Sequence, residues 1–423
     1  MRTSDAPFRR TIDLRLCGNE ALRPALAEAG CAVSPLTAGG SPDVVVADLR
    51  GTERPLGLVG RARRAAGGTP LVLVTGTDPL PTLCEAAERH VLVQTGADAA
   101  PVVRAVGRAV RSADMAREAG LRVSALTALE LPLGQADAPP AEERVVVLGE
   151  PGPHALATLH ALAPYTSFDA VLSRAQALRA LEAGDAGALV LAPGPERRDA
   201  AALVRLVRRQ SVLADVPVVI VEARRTDRHV AYWAKHGADA VLLPEEEGLI
   251  AAAVSAGIRR RTMDRRLKSL LARTVMSERG AEARIAGNAL FDACLAERCR
   301  RGGAFSLGAL RLSVPDAAPD DRALSEAAMY LSFGVGPEDM MARPAPDVFL
   351  FQLPFADALG AQRTMRALSS VTSDLKFGDE GTSQTFDTRL ATASYQAGDD
   401  PERMIVRAMG ALRTARVRVA VDA

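Results

Sequence analysis

Lysine is nearly absent from this 423-residue chain. Only Lys235, Lys268 and Lys376 occur, so almost all of its 52 cationic side chains are arginine. Lysine-centred chemistry therefore has few seats. Aromatic residues make up 4% of the chain, with one tryptophan, too few to build a base-stacking platform for single-stranded nucleic acid. Five cysteines (Cys17, Cys31, Cys84, Cys294, Cys299) are odd in number and scattered. No two stand at metal-ligand spacing, which argues against a disulfide scaffold and a zinc centre. The five histidines form neither HExxH nor HxH. With 52 cations against 51 carboxylates the formal charge is +1, so no broad basic field points to DNA. No run of about 18 apolar residues is long enough to span a membrane. The opening MRTSDAPFRR is followed by no apolar stretch of the kind a signal peptide carries. The expectation is a cytoplasmic protein with no membrane span, no DNA partner, no bound metal and no cofactor.

What is present is enough apolar residue, 48% of the chain, to bury more than one core. The length predicts two to four domains. An alternating strand at Ile12–Cys17 and strand runs at Asp43–Ala47, Leu71–Thr75 and Val91–Gln94 are interleaved with helical stretches such as Glu20–Ala29 and Val102–Arg111. That rhythm predicts a doubly wound α/β domain with a parallel sheet over 11–118. A Pro/Ala/acid-rich stretch, Gln135–Glu143, marks a linker over 119–143. The pattern restarts at Arg144–Leu148, with strands at Ala188–Leu191 and Val216–Val221 and the segment GADAVLLP at Gly237–Pro244. Residues 144–262 thus read as a diverged repeat of the first domain. A basic, helix-favouring segment predicts a connector helix over 263–284, a solvated or dimer-forming coil. Residues 285–420 mix helices (288–301, 320–332, 356–373, 401–413) with strands (305–312, 348–353, 386–394) outside a strict βα order. They predict an α+β domain with helices packed on its sheet.

The first unit resembles a response-regulator receiver domain. Asp48 ends the strand in PDVVVADLRG and Thr75 ends PLVLVT, and doubly wound sheets place their sites at such strand ends. The resemblance implies Asp48 as phosphoacceptor and Thr75 as the residue that senses the phosphoryl group. Where the family keeps an acidic pair this chain has Cys17-Gly18-Asn19, poor ligands for Mg²⁺. Where the family keeps a lysine it has Gln94 or Thr95. The competing reading makes Asp48 a retained carboxylate in a solvated crevice. The second unit resembles a pseudo-receiver. Its acceptor position falls on Ala192 beside Pro193, its Thr/Ser position on Glu222, and its lysine position on Leu243 before Pro244. Gly149-Glu150 stands for the acidic pair. Tyr232 and Trp233 read as packing or interface residues.

The last block resembles a GGDEF domain, the diguanylate cyclase fold. The resemblance rests on Asn288–Phe291 with its helix, MARPAPDVFLFQLP, and ATASYQAGDDPERMIVRAMGALRTA. The family's signature falls on Ala345, Pro346, Asp347, Val348 and Phe349. Its two glycines let the backbone approach nucleotide phosphates, which Ala-Pro prevents. The family's catalytic acid falls on Val348 and its first-strand metal ligand on Arg311, with Ser313 two residues on, so no catalytic residue is expected. The family's inhibitory RxxD site, which binds cyclic di-GMP, falls on Gly336-Pro337-Glu338-Asp339. Asp339 keeps the carboxylate, Arg343, Arg363 and Arg366 are the nearby cations, and the plainer reading is that Asp339 opens a strand or turn. The order receiver, receiver, GGDEF resembles a degenerate member of the PleD/PopA-like response-regulator group. That implies two flavodoxin-like domains followed by a degenerate GGDEF-type domain, in a non-enzymatic scaffold or adaptor. Such a protein would work through protein contacts, as a homodimer or with other partners, in cyclic di-GMP or cell-cycle signalling, and would be recruited to a cell pole. The alternative readings are a cyclic di-GMP-binding effector and, third, an active cyclase regulator.

Overall fold

The computed structural model describes residues 8–76, 83–95, 98–134, 144–184, 186–192, 197–276, 284–315, 317–378 and 383–415. The chain divides into two compact units. Of the described residues, one holds those within 11–113 and 144–265; the other holds 8–10, 114–134 and those within 266–415.

The first unit contains two parallel five-stranded sheets. In the first sheet β1 (Ile12–Gly18), β2 (Cys31–Pro35), β3 (Val44–Asp48), β4 (Leu71–Thr75) and β5 (Val91–Gln94) run in the order β2-β1-β3-β4-β5. This is the flavodoxin-like order. Every residue of β3 and β4 is buried, as expected of central parallel strands covered on both faces, which therefore show no alternation. The edge strand β2 is half-exposed and ends in a proline, so its sequence carries no such run; the sequence reading missed it for that reason. Around the sheet lie α1 (Arg23–Glu28), α2 (Pro55–Ala66), α3 (Cys84–Arg89) and α4 (Ala100–Ala128).

The second sheet repeats the order. Its strands are β6 (Arg144–Gly149), β7 (Phe168–Val171), β8 (Ala186–Ala192), β9 (Val218–Val221) and β10 (Ala240–Leu242), arranged β10-β9-β8-β6-β7. Its helices are α5 (Pro153–Leu162), α6 (Arg174–Glu182), α7 (Arg197–Arg209), α8 (Asp227–His236) and α9 (Glu247–Val275). The Gln94 side chain at the end of β5 accepts a hydrogen bond from Val241 N at 2.7 Å. One edge strand thereby supplies an acceptor to the edge strand of the other sheet, in a buried contact.

Two expected boundaries shift. Helix α4 continues through the boundary expected at 118 and covers the first ten residues of the expected linker. Its Met115 and Ala119 pack on Leu271 of α9, so burial carries the helix onward. The connector helix ends at Val275, short of 284. The segment Gln135–Glu143 lies outside the described residues.

In the second unit α10 (Asn288–Arg301), β11 (Phe305–Ser313), α11 (Asp321–Gly334), β12 (Met340–Ala345), β13 (Val348–Pro354), α12 (Ala358–Ser373), β14 (Asp387–Ser394) and α13 (Pro401–Thr414) follow in turn. The four strands form an antiparallel sheet in the order β12-β13-β11-β14. Alternation along β11 sends Leu307 and Ala309 to a core with Phe291 and Met404. Leu310 and Leu312 go to a second core with Leu331 and Met365. The sheet is thus covered on both faces. Asp320, Asp357 and Asp400 accept hydrogen bonds from Ala323 N, Gly360 N and Arg403 N, which caps three helix starts and offsets their dipoles.

Candidate functional site

The β12–β13 hairpin turns at Pro346-Asp347, with Ala345 paired to Val348. Val348 and Phe349 both face inward, the latter fully buried. The sequence motif therefore lies on a tight turn whose apolar arm fills the core. Arg311 of β11 stands opposite Val348, and its Nε donates to Asp347 Oδ2 at 2.7 Å. Leu312 N donates to Asp347 O at 2.9 Å. The one carboxylate of the turn is thus paired with an exposed guanidinium. Ser313 donates to Asp387 O at 3.5 Å. Arg343 points along the same hairpin. It donates to Pro346 O at 3.0 Å and lies over the Phe349 ring at 5.6 Å. A shallow recess of about 360 Å³ opens here, lined by Asp321, Ser325, Arg343 and the Pro344–Pro346 backbone.

Asp339 sits just before β12, and its side chain is 1% exposed. Its partner is none of the three arginines near it in sequence. Arg9 Nη1 donates to Asp339 Oδ1 at 2.6 Å and lies 3.6 Å from Glu338. Gly336 N donates to Asp339 Oδ2 at 3.3 Å and Asp339 N to Gly336 O at 3.0 Å. The reading of Asp339 as a turn residue therefore fits its backbone, while its carboxylate serves an ion pair. Arg363 and Arg366 are exposed on α12. Burial raises the Asp339 carboxyl to about 6, with Arg9 opposing and Glu338 adding to the rise. For Arg9 burial acts downward, but the Asp339 charge and hydrogen bond outweigh it and hold the guanidinium firmly protonated. Arg9 is kept in place by its own backbone: its carbonyl accepts from Asp357 N at 3.2 Å. That carbonyl lies so close to Gly360 that any Cβ there would overlap it.

Beneath Asp339 lies a buried ionic network that the sequence reading did not find. Arg122 Nη2 donates to the carbonyls of Glu338 and Asp339, each at 2.8 Å. Its Nε donates to Glu118 at 2.8 Å, and Glu118 also accepts two bonds from Arg298 at 2.9 and 2.8 Å. Arg298 Nε reaches Gln352, which in turn donates to Phe291 O at 2.6 Å. Burial pushes the Glu118 carboxyl up, but the two guanidiniums pull it below its ordinary value. The partners are up to 217 residues apart in sequence, so no local motif announces them.

In the first sheet Asp48 ends β3 and is fully buried, which corrects the solvated crevice expected there. Arg50 holds it: Nε to Oδ1 at 2.8 Å, Nη2 to Oδ2 at 2.6 Å, with Arg50 N adding a bond to Oδ1 at 3.2 Å. This two-pronged pair takes up both carboxylate oxygens. Thr75 is buried at the end of the neighbouring strand, and its hydroxyl has no partner among the described residues. Gly18, in the expected acidic-pair position, has φ 95° and sits against the Asp48 carbonyl. Thr95 donates to Asp98 O, and Gln94 serves β10. In the second sheet Ala192 is buried at the end of β8, and Pro193 lies outside the described residues. Glu222 accepts from the Trp233 indole at 2.6 Å. Trp233 is fully buried and meets Tyr232 edge-on at 5.3 Å, so it is a core residue. Leu243 N donates to Glu246 at 2.8 Å.

No protein-family model matches this chain, and no curated protein sequence does either. Among solved structures it is similar, over about a third of its length, to GGDEF domains. The diguanylate cyclase SiaD from Pseudomonas aeruginosa, solved with its activator SiaC, is 20% identical at a TM-score of 0.27. That match covers 29% of this chain and 53% of SiaD, so the chain spans about half the length of that relative. The GGDEF domain of DgcB from Caulobacter crescentus, solved with c-di-GMP, is 16% identical at a TM-score of 0.27 over 31% of this chain and 82% of that one. The FimX GGDEF domain from Pseudomonas aeruginosa is 16% identical at 0.27 over 30% and 83%.

Proposed function

We propose that this chain is a non-catalytic signalling scaffold of receiver–receiver–GGDEF type, working through protein contacts in cyclic di-GMP signalling. The observation that carries the reading is the Arg311–Asp347 pair at the Ala345-Pro346-Asp347-Val348-Phe349 turn. Joining two GTP molecules through attack of a 3′-hydroxyl on an α-phosphate, with loss of pyrophosphate, needs an open backbone for the phosphates and free carboxylates for metal. This turn offers a proline, a buried valine and a carboxylate already bound to arginine. The two flavodoxin-like sheets support receiver-type ancestry. At Asp48 the Arg50 fork occupies both oxygens that a phosphodonor and its metal would have to reach, which supports a structural use of that carboxylate.

The test is to incubate the full-length protein with GTP and Mg²⁺ or Mn²⁺, and in parallel to capture partners by crosslinking. The expected result is no linear or cyclic dinucleotide, and a defined partner or homodimer that resists competition by GTP. Formation of cyclic di-GMP would overturn the reading. Titration with cyclic di-GMP separates the effector alternative. Micromolar binding by the intact chain would favour it over the scaffold.

A further inference from the structure

A cavity of about 470 Å³ lies in the first unit, beside β5. Four helices contribute basic side chains to its wall: Arg104, Arg108 and Arg111 of α4, Arg208 of α7, Lys235 of α8 and Arg260 of α9. The α4 arginines fall at i, i+4 and i+7 and so form one stripe along the helix. Like charges at i, i+4 cost an isolated helix a few tenths of a kcal/mol.

The one carboxylate in the lining is Asp239, and it is already shared. Arg208 donates to it at 2.7 Å and Arg108 pairs with it at 2.8 Å. Arg208 spends its other donors on the carbonyls of Gly237, Ala214 and Val216, so it is a structural clamp. Asp215 and Asp264 act on these arginines from outside the lining, and Asp264 also accepts from Ser112 at 2.5 Å. Arg104 donates to Ala234 O at 2.8 Å. Arg111, Lys235 and Arg260 have no hydrogen-bond partner among the described residues. Burial, with the Arg108 charge behind it, disfavours the charged form of Arg104. Burial and Arg108 act the same way at Arg260, against Asp239. Six cations gathered around one shared carboxylate mark a place that suits an anion.

We infer that this cavity binds a small molecule carrying two or more phosphate groups. Guanidinium forks match phosphate oxygens two at a time, and several converging forks suit a chain of phosphates better than a single carboxylate. The volume falls within the range of small-molecule pockets, and the recess is open enough to solvent to admit a ligand. Val91, Val93 and Val103 give the cavity an apolar wall against which a nucleoside base can lie. The inference concerns a different unit from the hairpin and holds whether or not the scaffold reading does.

Calorimetry of the full-length protein with inorganic triphosphate and with ATP, at about 0.15 M salt, tests it. Saturable binding at one site per chain is expected, weakened about tenfold or more in Lys235→Ala/Arg260→Ala. Neither residue makes a hydrogen bond among the described residues, so the variant should melt close to the parent without ligand. Tighter binding of ATP than of triphosphate would support a nucleotide and assign the apolar wall to its base. No saturable heat with either probe, or equal binding by the double variant, would overturn the inference.

Discussion

At the scale of the residue, the most informative atoms are carboxylates already claimed by arginine. Asp48, Asp339, Asp347 and Glu118 each have a guanidinium partner within 2.9 Å. Buried ion pairs seldom raise net stability, because desolvation consumes the Coulomb gain, but removing one partner leaves a costly lone charge. Asp339 shows the balance directly. Its folded carboxyl titrates near 6, above the ordinary value of about 3.9 for an unfolded chain. The folded state therefore holds a proton through a window in which the unfolded state has lost it. The stability this group contributes is fully present below about pH 4 and is lost as pH rises through about 6. Arg9 opposes the shift, so Arg9→Ala should move the Asp339 carboxyl still higher. Carbon-detected NMR of the aspartate carboxyls reads this directly. An unchanged or lowered titration in the variant would mean that Arg9 does not face Asp339 in solution.

At the scale of the element, the strands best buried were the most legible. β3 and β4 stand out as unbroken apolar runs because both faces are covered, and β11 and β13 because their residues fill two cores. β2 was not legible, since an edge strand ending in proline has neither a run nor an alternation to show. The continuation of α4 past 118 was hidden because the residues that bury it, Met115, Ala119 and Leu271, declare themselves only once α9 lies alongside. The hairpin motif was readable at 345–349, as was the oddity of Arg311. Arg9, Arg122 and Arg298 could not be tied to Asp339 and Glu118 from a sequence in which each pair lies far apart or looks like any other helical ion pair. Arg50 was the exception, two residues from Asp48 and overlooked. Gly18 links strand geometry to this site. It combines φ 95° with contact against the Asp48 carbonyl, so β1 can approach β3 there only without a Cβ. Gly18→Ala should cost at least about 2 kcal/mol from left-handed strain plus overlap. Urea denaturation followed by circular dichroism would show a lowered midpoint; an unchanged midpoint would mean that the strand end relaxes freely.

At the scale of the whole molecule, each unit has cores of its own. The two parallel sheets bury one set of side chains, and the antiparallel sheet another. Units with separate cores can lose structure separately, so calorimetric unfolding should show at least two transitions. Glu118→Gln assigns one of them. It keeps the side-chain shape but leaves Arg122 and Arg298 without their charge partner, at a cost of about 3–5 kcal/mol. That loss belongs to the second unit and should lower one transition alone. Gly18→Ala should lower the other. A polyphosphate that binds the arginine-lined cavity stabilises only the state that holds it, so it should raise the transition that Gly18→Ala lowers. A single transition moved by both substitutions would instead make the chain one cooperative body. Ligand binding among the α4 arginines would then be felt at Glu118 further along the same helix, and so at Asp339, whose carbonyl Arg122 holds.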